Sequence, residues 1–216
     1  MRSDPIEAVL FDYGGVFIAS PFAAVASMSE KLGVPAPALL DIIFGPYDRD
    51  TDHPWHRLER GELSLGVARE EILALGRGRG SEVDLYELFG AIAAISRGVV
   101  EPMVDCVRRL KQSGYRTAIV TNNVAEFSDH WRMTLPLDEL FDSIVDSSQV
   151  GMRKPDPRIF SHALECLGNV APHRAVFLDD FHGNVTAANN MGMHGILVEE
   201  DPTGAIEALE RLLADR

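Results

Sequence analysis

Carboxylate side chains stand directly after two apolar runs that the sequence predicts as buried strands. Asp12 follows the run from Ala8 to Phe11, and Asp179 and Asp180 follow the run from Ala175 to Leu178. Two adjacent carboxylates repel each other unless a cation or a hydrogen-bond donor compensates their charge. Carboxylate oxygens are hard ligands that suit Mg²⁺. We therefore predict a magnesium site that the three acids share.

Residues that could hold a phosphoryl group occur near this first acid and after two further elements. Gly14 and Gly15 free the backbone to approach a ligand, which makes Gly15 a candidate substrate contact. Thr121 and Asn122 follow another short apolar run and could donate a hydroxyl and an amide to phosphate oxygens. Lys154 offers a positive charge on a loop that contains prolines. Each of these signals is weak alone, and together they predict a site for a small phosphorylated molecule.

The combination predicts phosphoryl transfer. Asp12 could attack phosphorus and form an aspartyl phosphate, which water would then hydrolyse. Mg²⁺ would cancel the repulsion between this carboxylate and the phosphate. Lys154 and Thr121 would neutralise the equatorial oxygens that carry the transition-state charge. Asp12 and Lys154 are thus the predicted catalytic residues.

These side chains can meet only if the strands that carry them lie side by side. Strands alternate with helices after residue 99, which is typical of a doubly wound, parallel α/β sheet. In such sheets ligands bind outside the carboxyl ends of the strands, so the polar residues there should converge. Strands are predicted at 8–11, 117–120, 141–145, 175–178 and 195–198, and helices at 103–111, from about 125, at 157–167, 183–191 and 203–213.

A helical segment separates the first strand from the rest of the sheet. Ser20 and Pro21 are typical of a helix start, as cap and first helical residue. Helical spacing of apolar residues predicts helices near 22–32, 36–44, 64–76 and 83–96, with no strand between them. We predict an α/β core formed by residues 1–19 and 99–216, and a small α-helical cap formed by residues 20–98, here called the helical insertion.

The four ordered motifs resemble those of the haloacid-dehalogenase superfamily. They run Asp-Tyr-Gly-Gly-Val from Asp12, Thr-Asn from Thr121, Lys-Pro from Lys154 and the pair Asp179-Asp180. The resemblance covers nearly the whole chain, and the helical insertion resembles that superfamily's cap placed after the first strand. Two stretches, one around the acidic pair and one from Trp55 to Glu62, are similar to sequences of one subgroup of this superfamily. That subgroup contains sugar phosphatases and the N-terminal phosphatase domain of soluble epoxide hydrolases.

This resemblance implies a role for each residue. Asp12 would be nucleophile and metal ligand, and the Gly14 carbonyl would be a second metal ligand. Asp180 would bind Mg²⁺ directly, whereas Asp179 would act through a metal-bound water or hold Lys154. Asn184 resembles a supporting residue after the acidic pair.

One position departs from the superfamily's pattern. Most of its phosphatases carry Asp two residues after the nucleophile as general acid and base, and this chain has Gly14 there. Glycine cannot transfer a proton, and general acid–base catalysis contributes about two to four orders of magnitude. We therefore expect slow turnover or a substrate with a good leaving group, such as a sugar 1-phosphate, an aryl phosphate or an acyl phosphate.

Composition limits the partners. The 216 residues carry a formal net charge of -13, which disfavours nucleic acid and anionic membranes. No run approaches 18 apolar residues, and the polar N-terminus lacks the pattern of a signal peptide, so we expect no membrane association and a cytoplasmic location. Cys106 and Cys166 are expected to be buried, reduced thiols. The oligomeric state cannot be predicted from these features.

Two other functions stay open on the sequence alone. A 2-haloacid dehalogenase of the same superfamily would use Asp12 without a metal, and the pair Asp179-Asp180 argues against it. A catalytically silent ligand-binding module is suggested by Gly14. Halide release without Mg²⁺ would favour the first alternative, and ligand binding without turnover the second.

Overall fold

The sheet that the sequence predicts is present, with all neighbouring strands parallel. The computed structural model describes residues 4–96 and 98–214. The strands of this part are β1 (Ala8–Phe11), β2 (Arg116–Thr121), β3 (Ser143–Asp146), β4 (Ala175–Asp179) and β5 (His194–Leu197). They lie in the order β3-β2-β1-β4-β5, with β1 in the centre. The predicted doubly wound α/β fold class is thus confirmed.

Twelve α-helices accompany the sheet in the described residues. Six precede β2, of which the first five lie in the helical insertion, and most of the others follow the predicted pattern. They are α1 (Pro21–Leu32), α2 (Ala36–Ile43), α3 (Pro54–Glu59), α4 (Leu65–Gly78), α5 (Leu85–Ile95), α6 (Glu101–Gln112), α7 (Ser128–Arg132), α8 (Leu137–Leu140), α9 (Ser147–Val150), α10 (Pro157–Cys166), α11 (His182–Asn190) and α12 (Thr203–Ala214).

Both faces of the sheet are covered, because side chains alternate along each strand. In β1, Val9 and Phe11 contribute to a hydrophobic cluster with residues of α6 and α12. Ala8 and Leu10 contribute to a second cluster, with residues of α10 and α11. All four side chains are fully buried between the two clusters. The first polar residue, Asp12, therefore comes where the chain leaves the strand at the edge of the sheet.

The helical insertion has a hydrophobic cluster of its own. Side chains of α1 to α5 form it, and Val124 and Phe127 join it from the segment after β2. The Ser20 hydroxyl accepts a hydrogen bond from the Phe22 amide at 3.3 Å, and Pro21 is the first residue of α1, as predicted. The division into a core and a helical insertion stays our proposal, which this separate cluster supports.

The sequence-based element boundaries were wrong in several places. The helix expected from about residue 125 is a 3₁₀ turn, Ala125–Phe127, followed by the short α7. The strand expected from Phe141 begins at Ser143, because pairing with β2 starts there although Phe141 is already extended and buried. Helix α3 was not predicted, since six residues are too few to establish a helical period.

Two expectations from composition can also be compared with the structure. Cys106 is buried, but Cys166 is exposed at the end of α10, so the prediction of two buried thiols was wrong for Cys166. Every helix within residues 4–96 and 98–214 is too short or too polar to span a bilayer.

Candidate active site

The three acids meet at one edge of the sheet because their strands are neighbours in register. Phe11, the last residue of β1, pairs with Leu178 of β4, and the Asp12 amide donates to the Leu178 carbonyl at 2.8 Å. Asp12 and Asp179, which follow this pair in the two strands, therefore lie at the same edge of the sheet. Carboxylate oxygens of Asp12, Asp179 and Asp180 all lie within 4.8 Å of one another.

Lys154 lies between two of these carboxylates. Its Nζ is 2.8 Å from Oδ1 of Asp12 and 2.7 Å from Oδ2 of Asp179. The side chain is fully buried, and burial alone disfavours the charged form. The two carboxylates outweigh this effect and raise the pKa of Lys154 above its usual value, so the ammonium form persists.

Asp12 is held through one oxygen. Its Oδ1 accepts from Lys154 and also from the Tyr13 amide at 2.6 Å. The described part of the chain provides no hydrogen bond to Oδ2. The side chain is 13% exposed. One oxygen is thus oriented while the other is available for attack on a substrate.

Asp179 is enclosed by hydrogen-bond donors. Besides Lys154, the Phe181 amide donates to its Oδ1 at 2.7 Å, and Asn184 Nδ2 lies 3.2 Å from Oδ1 and 3.0 Å from Oδ2. Both oxygens are therefore engaged, which favours the role of holding Lys154 over direct contact with a metal. Asn184 supports the acidic pair, as the motif resemblance implied.

The site carries more negative than positive charge. Burial raises the pKa of Asp180 to about 6, and the charge of Asp12 adds to this effect while the Ser20 hydroxyl opposes it. The pKa of Asp179 is also raised, first by burial, with Asp12 and Asp180 adding to it and Lys154 opposing it. Three carboxylates share the site with one ammonium, so a divalent cation bound by oxygens of Asp12 and Asp180 would relieve the repulsion.

Gly15 is required by shape. Its φ is +73°, and a Cβ added there would lie 2.0 Å from Oδ2 of Asp180. Its amide already donates to the Ile18 carbonyl at 2.9 Å. Gly15 therefore serves the site by leaving space beside Asp180, and its predicted contact with substrate stays a prediction.

Replacing Gly15 with Ala is expected to displace the Asp180 carboxylate and to lower both Mg²⁺ affinity and turnover. The left-handed backbone conformation adds about 1–2 kcal/mol of strain for a residue with a Cβ. Gly33→Ala is the matched control, because Gly33 has a φ of +65° and nothing within 4 Å of an added Cβ. Calorimetric Mg²⁺ titration and chemical unfolding should show similar strain in both variants and a binding defect only in the first. Equal Mg²⁺ affinity in Gly15→Ala and Gly33→Ala would contradict the assignment of Asp180 as a direct metal ligand.

Gly14 lies in more open surroundings. Its φ is not in the left-handed region, and the nearest atom to an added Cβ is Cδ of Pro21, at an ordinary contact distance of 3.5 Å. A side chain could be accommodated at this position. Steric demand therefore does not explain the absence of the acid that most phosphatases of the resembling superfamily carry.

The two predicted phosphate contacts after β2 differ in what their side chains do. Thr121 is nearly buried, and its hydroxyl has no partner among the described residues, so it is available to a ligand. Asn122 is already engaged: its Oδ1 accepts from the Lys154 amide at 2.8 Å, and its Nδ2 donates to the Lys154 carbonyl at 3.0 Å. The Asn122 side chain therefore clamps the main chain of Lys154, a role that the sequence did not indicate.

Three further residues near the site were missed by sequence reasoning. Tyr47 accepts a hydrogen bond from Asn122 at 3.3 Å and donates one to Glu59 at 2.7 Å. Glu59 in turn accepts from Arg153 at 2.6 Å. Arg153 stands beside Lys154, and Glu59 lies in the segment from Trp55 to Glu62 that resembles the phosphatase subgroup, but neither signal identifies which residues contact each other.

Comparisons with known proteins give a consistent picture. A family model described as haloacid dehalogenase-like hydrolase matches residues 6–192. Bifunctional epoxide hydrolase 2 of Rattus norvegicus is 31% identical over 221 residues, which cover 96% of this chain and 39% of that relative's length. The sesquiterpene phosphatase astK of Aspergillus oryzae is 30% identical over 198 residues, which cover 88% of each chain.

Solved structures show the same fold. A predicted haloacid-dehalogenase-like hydrolase from Porphyromonas gingivalis matches with a TM-score of 0.70 and 24% identity, covering 99% of this chain and 100% of that one. An enzyme of the same family from Bacteroides thetaiotaomicron, in complex with magnesium and inorganic phosphate, matches with a TM-score of 0.59 and 18% identity over 91% and 96% of the two chains. At these identities the likeness concerns the fold alone.

Proposed function

This chain belongs to the haloacid dehalogenase-like hydrolases, and we propose that within this family it is a Mg²⁺-dependent phosphatase that uses Asp12 as its nucleophile. The family membership confirms the resemblance drawn from the motifs and makes the chain a hydrolase. The observation that carries the narrower proposal is the cluster of the Asp12, Asp179 and Asp180 carboxylates, two of which, Asp12 and Asp179, contact the Lys154 ammonium.

The donor set fits a magnesium ion. Asp12, Asp180 and the Gly14 carbonyl would provide hard oxygen ligands, with Asp179 acting through a water or by holding Lys154. When bound, the ion would offset the repulsion between Asp12 and an incoming phosphate and would polarise the phosphoryl group. The relative in complex with magnesium and inorganic phosphate supports the choice of metal and ligand.

The chain's own residues account for binding and attack. Lys154 and the free hydroxyl of Thr121 would bind the equatorial phosphate oxygens. Oδ2 of Asp12 would form a bond to phosphorus while the bond from phosphorus to the leaving oxygen breaks. Water would then attack the phosphorus of the aspartyl phosphate, releasing inorganic phosphate and restoring the Asp12 carboxylate.

Gly14 limits the substrates that such a site can use. An alkyl leaving group departs as a strong base unless an acid protonates it, and Gly14 provides no acid. A sugar 1-phosphate, an aryl phosphate or an acyl phosphate has a leaving group that departs more easily. We propose a small phosphoester of this kind as the substrate class.

Hydrolysis of p-nitrophenyl phosphate tests the proposed function. We expect p-nitrophenol release that requires Mg²⁺, is abolished by EDTA and is restored by adding Mg²⁺ in excess. The readily departing phenolate removes the need for a general acid, so Gly14 should not prevent turnover of this substrate. No turnover with Mg²⁺ would contradict the proposal.

The same preparation separates the two alternatives. Halide release from 2-haloacids in EDTA would support a metal-free dehalogenase, which the acidic cluster does not favour. Phosphate binding measured by calorimetry, without turnover of any phosphoester, would support a silent ligand-binding module.

A further inference from the structure

A closed ring of contacts connects the helical insertion to Lys154. Asn122 Nδ2 donates to the Tyr47 hydroxyl at 3.3 Å, and that hydroxyl donates to Oε1 of Glu59 at 2.7 Å. Oε2 of Glu59 accepts from Nε of Arg153 at 2.6 Å. Arg153 is covalently joined to Lys154, whose main chain is held on both sides by Asn122. The ring therefore returns to its starting point.

The ring joins two parts of the chain that are distant in sequence. Tyr47 and Glu59 belong to the helical insertion, whereas Asn122 and Arg153 follow β2 and β3 of the sheet. The Ser147 hydroxyl strengthens the junction by donating to the Glu59 carbonyl at 2.6 Å. The contacts between the two parts form only while the helical insertion rests on the sheet.

The ring contains a buried ion pair. Arg153 is fully buried and Glu59 is 2% exposed. Arg153 is the ion-pair partner of the Glu59 carboxylate, and the Arg153 guanidinium also lies 3.6 Å from Asp50. The Arg153 guanidinium also lies 4.6 Å from the centre of the Tyr47 ring. Burial and the Glu59 carboxylate raise the pKa of Tyr47 well above its usual value, so its hydroxyl remains a donor.

We propose that Tyr47 and Glu59 are positioning residues that fix Lys154 for catalysis when the helical insertion lies against the sheet. This inference rests on the proposed function, in which Lys154 neutralises charge that develops on the phosphoryl group. Neither residue touches the reacting atoms. Tyr47 acts by restraining the Asn122 amide, and Glu59 acts by anchoring Arg153, the residue next to Lys154.

The expected effect is on turnover more than on apparent affinity. Lys154 stabilises the transition state, so a small displacement of its ammonium lowers kcat, by about 10- to 100-fold for a misplacement near 1 Å. An interaction that matters mainly in the transition state leaves KM nearly constant. A purely structural role would lower the melting temperature without this selective loss.

Tyr47→Phe and Glu59→Gln test the proposal in the 216-residue chain. Tyr47→Phe keeps the ring and removes only the hydroxyl, and Glu59→Gln keeps the shape and removes the charge. Glu87→Gln is the matched control, because Glu87 lies in the same helical insertion and forms only an exposed ion pair with Lys31. Amide exchange by NMR and steady-state hydrolysis of p-nitrophenyl phosphate with Mg²⁺ are measured for all four proteins.

The amide of Lys154 reports directly on the ring, since it donates to Asn122. We expect its exchange to accelerate about three- to tenfold in Tyr47→Phe, the loss typical of one neutral hydrogen bond. We also expect kcat to fall about 10- to 100-fold with KM within about twofold. Glu87→Gln should match the wild type in both measurements.

Unchanged Lys154 exchange in Tyr47→Phe, or exchange that accelerates only within the helical insertion, would overturn the proposal. So would faster exchange at Lys154 with an unchanged kcat. Tyr47→Phe decides the matter if Glu59→Gln does not fold. A wild-type protein without turnover would refute the proposed function, whereas amide exchange would still show whether the ring holds Lys154.

Discussion

Replacing Asp12 with Asn is expected to abolish phosphate release from p-nitrophenyl phosphate, with a loss of about 10⁴-fold or more, as for removal of a catalytic nucleophile. The amide can still accept through its oxygen from the Tyr13 amide and Lys154, whose distances to Oδ1 of Asp12 are 2.6 and 2.8 Å. The fold should therefore persist, while an amide neither attacks phosphorus nor provides an anionic ligand to Mg²⁺.

Asp105→Asn provides the control for this substitution. Asp105 forms an exposed ion pair with Arg108 on the surface of α6, so the same chemical change there should leave turnover unaltered. Mass spectrometry of wild-type enzyme quenched in acid during turnover should detect a phosphate adduct on the peptide that contains Asp12. Turnover retained in Asp12→Asn would assign the nucleophile to another residue or another protein.

Replacing Gly14 with Asp is expected to raise turnover of an alkyl phosphate such as glycerol phosphate by about 10²- to 10⁴-fold, the usual contribution of a general acid. The position tolerates a side chain, since an added Cβ would have its nearest neighbour, Cδ of Pro21, at 3.5 Å. p-Nitrophenyl phosphate should gain much less, because its leaving group needs no proton to depart. The ratio of kcat/KM for the two substrates is the decisive measurement.

Gly66→Asp is the matched control for the added carboxylate. Gly66 is exposed in the first turn of α4, with nothing within 4 Å of an added Cβ. Gly66→Asp adds the same charge at an exposed helix N-terminus. An unchanged kcat/KM ratio in Gly14→Asp would show that a missing acid does not limit the choice of leaving group. An equal gain on both substrates would indicate an effect on phosphate or metal binding instead.

The structure changes the interpretation of several residues that the sequence had selected. Asn122 was predicted as a phosphate contact, which stays a prediction, and the structure adds that its side chain holds the main chain of Lys154. Asp179 and Asp180 were both predicted as part of the magnesium site, and the structure shows that their carboxylates have different neighbours. Donors occupy both oxygens of Asp179, and the carboxylate of Asp180 faces Gly15.

The sequence by itself predicted the parallel, doubly wound sheet and the convergence of Asp12, Lys154 and the acidic pair at one edge of it. These properties follow from local patterns, because an apolar run ending in a polar residue already marks a strand that ends at the site. The family was accessible for the same reason, since its four motifs are short and ordered along the chain.

Only the tertiary structure decided which side chains restrain the site. Arg153 and Glu59 are 94 residues apart, and Tyr47 and Asn122 are 75 apart. Contacts over such distances leave no periodic trace in a single sequence, because their residues are neighbours through the packing of the helical insertion on the sheet. The same packing buries Arg153 and Glu59 together, and a charged pair in the sequence gives no sign of whether it will be buried.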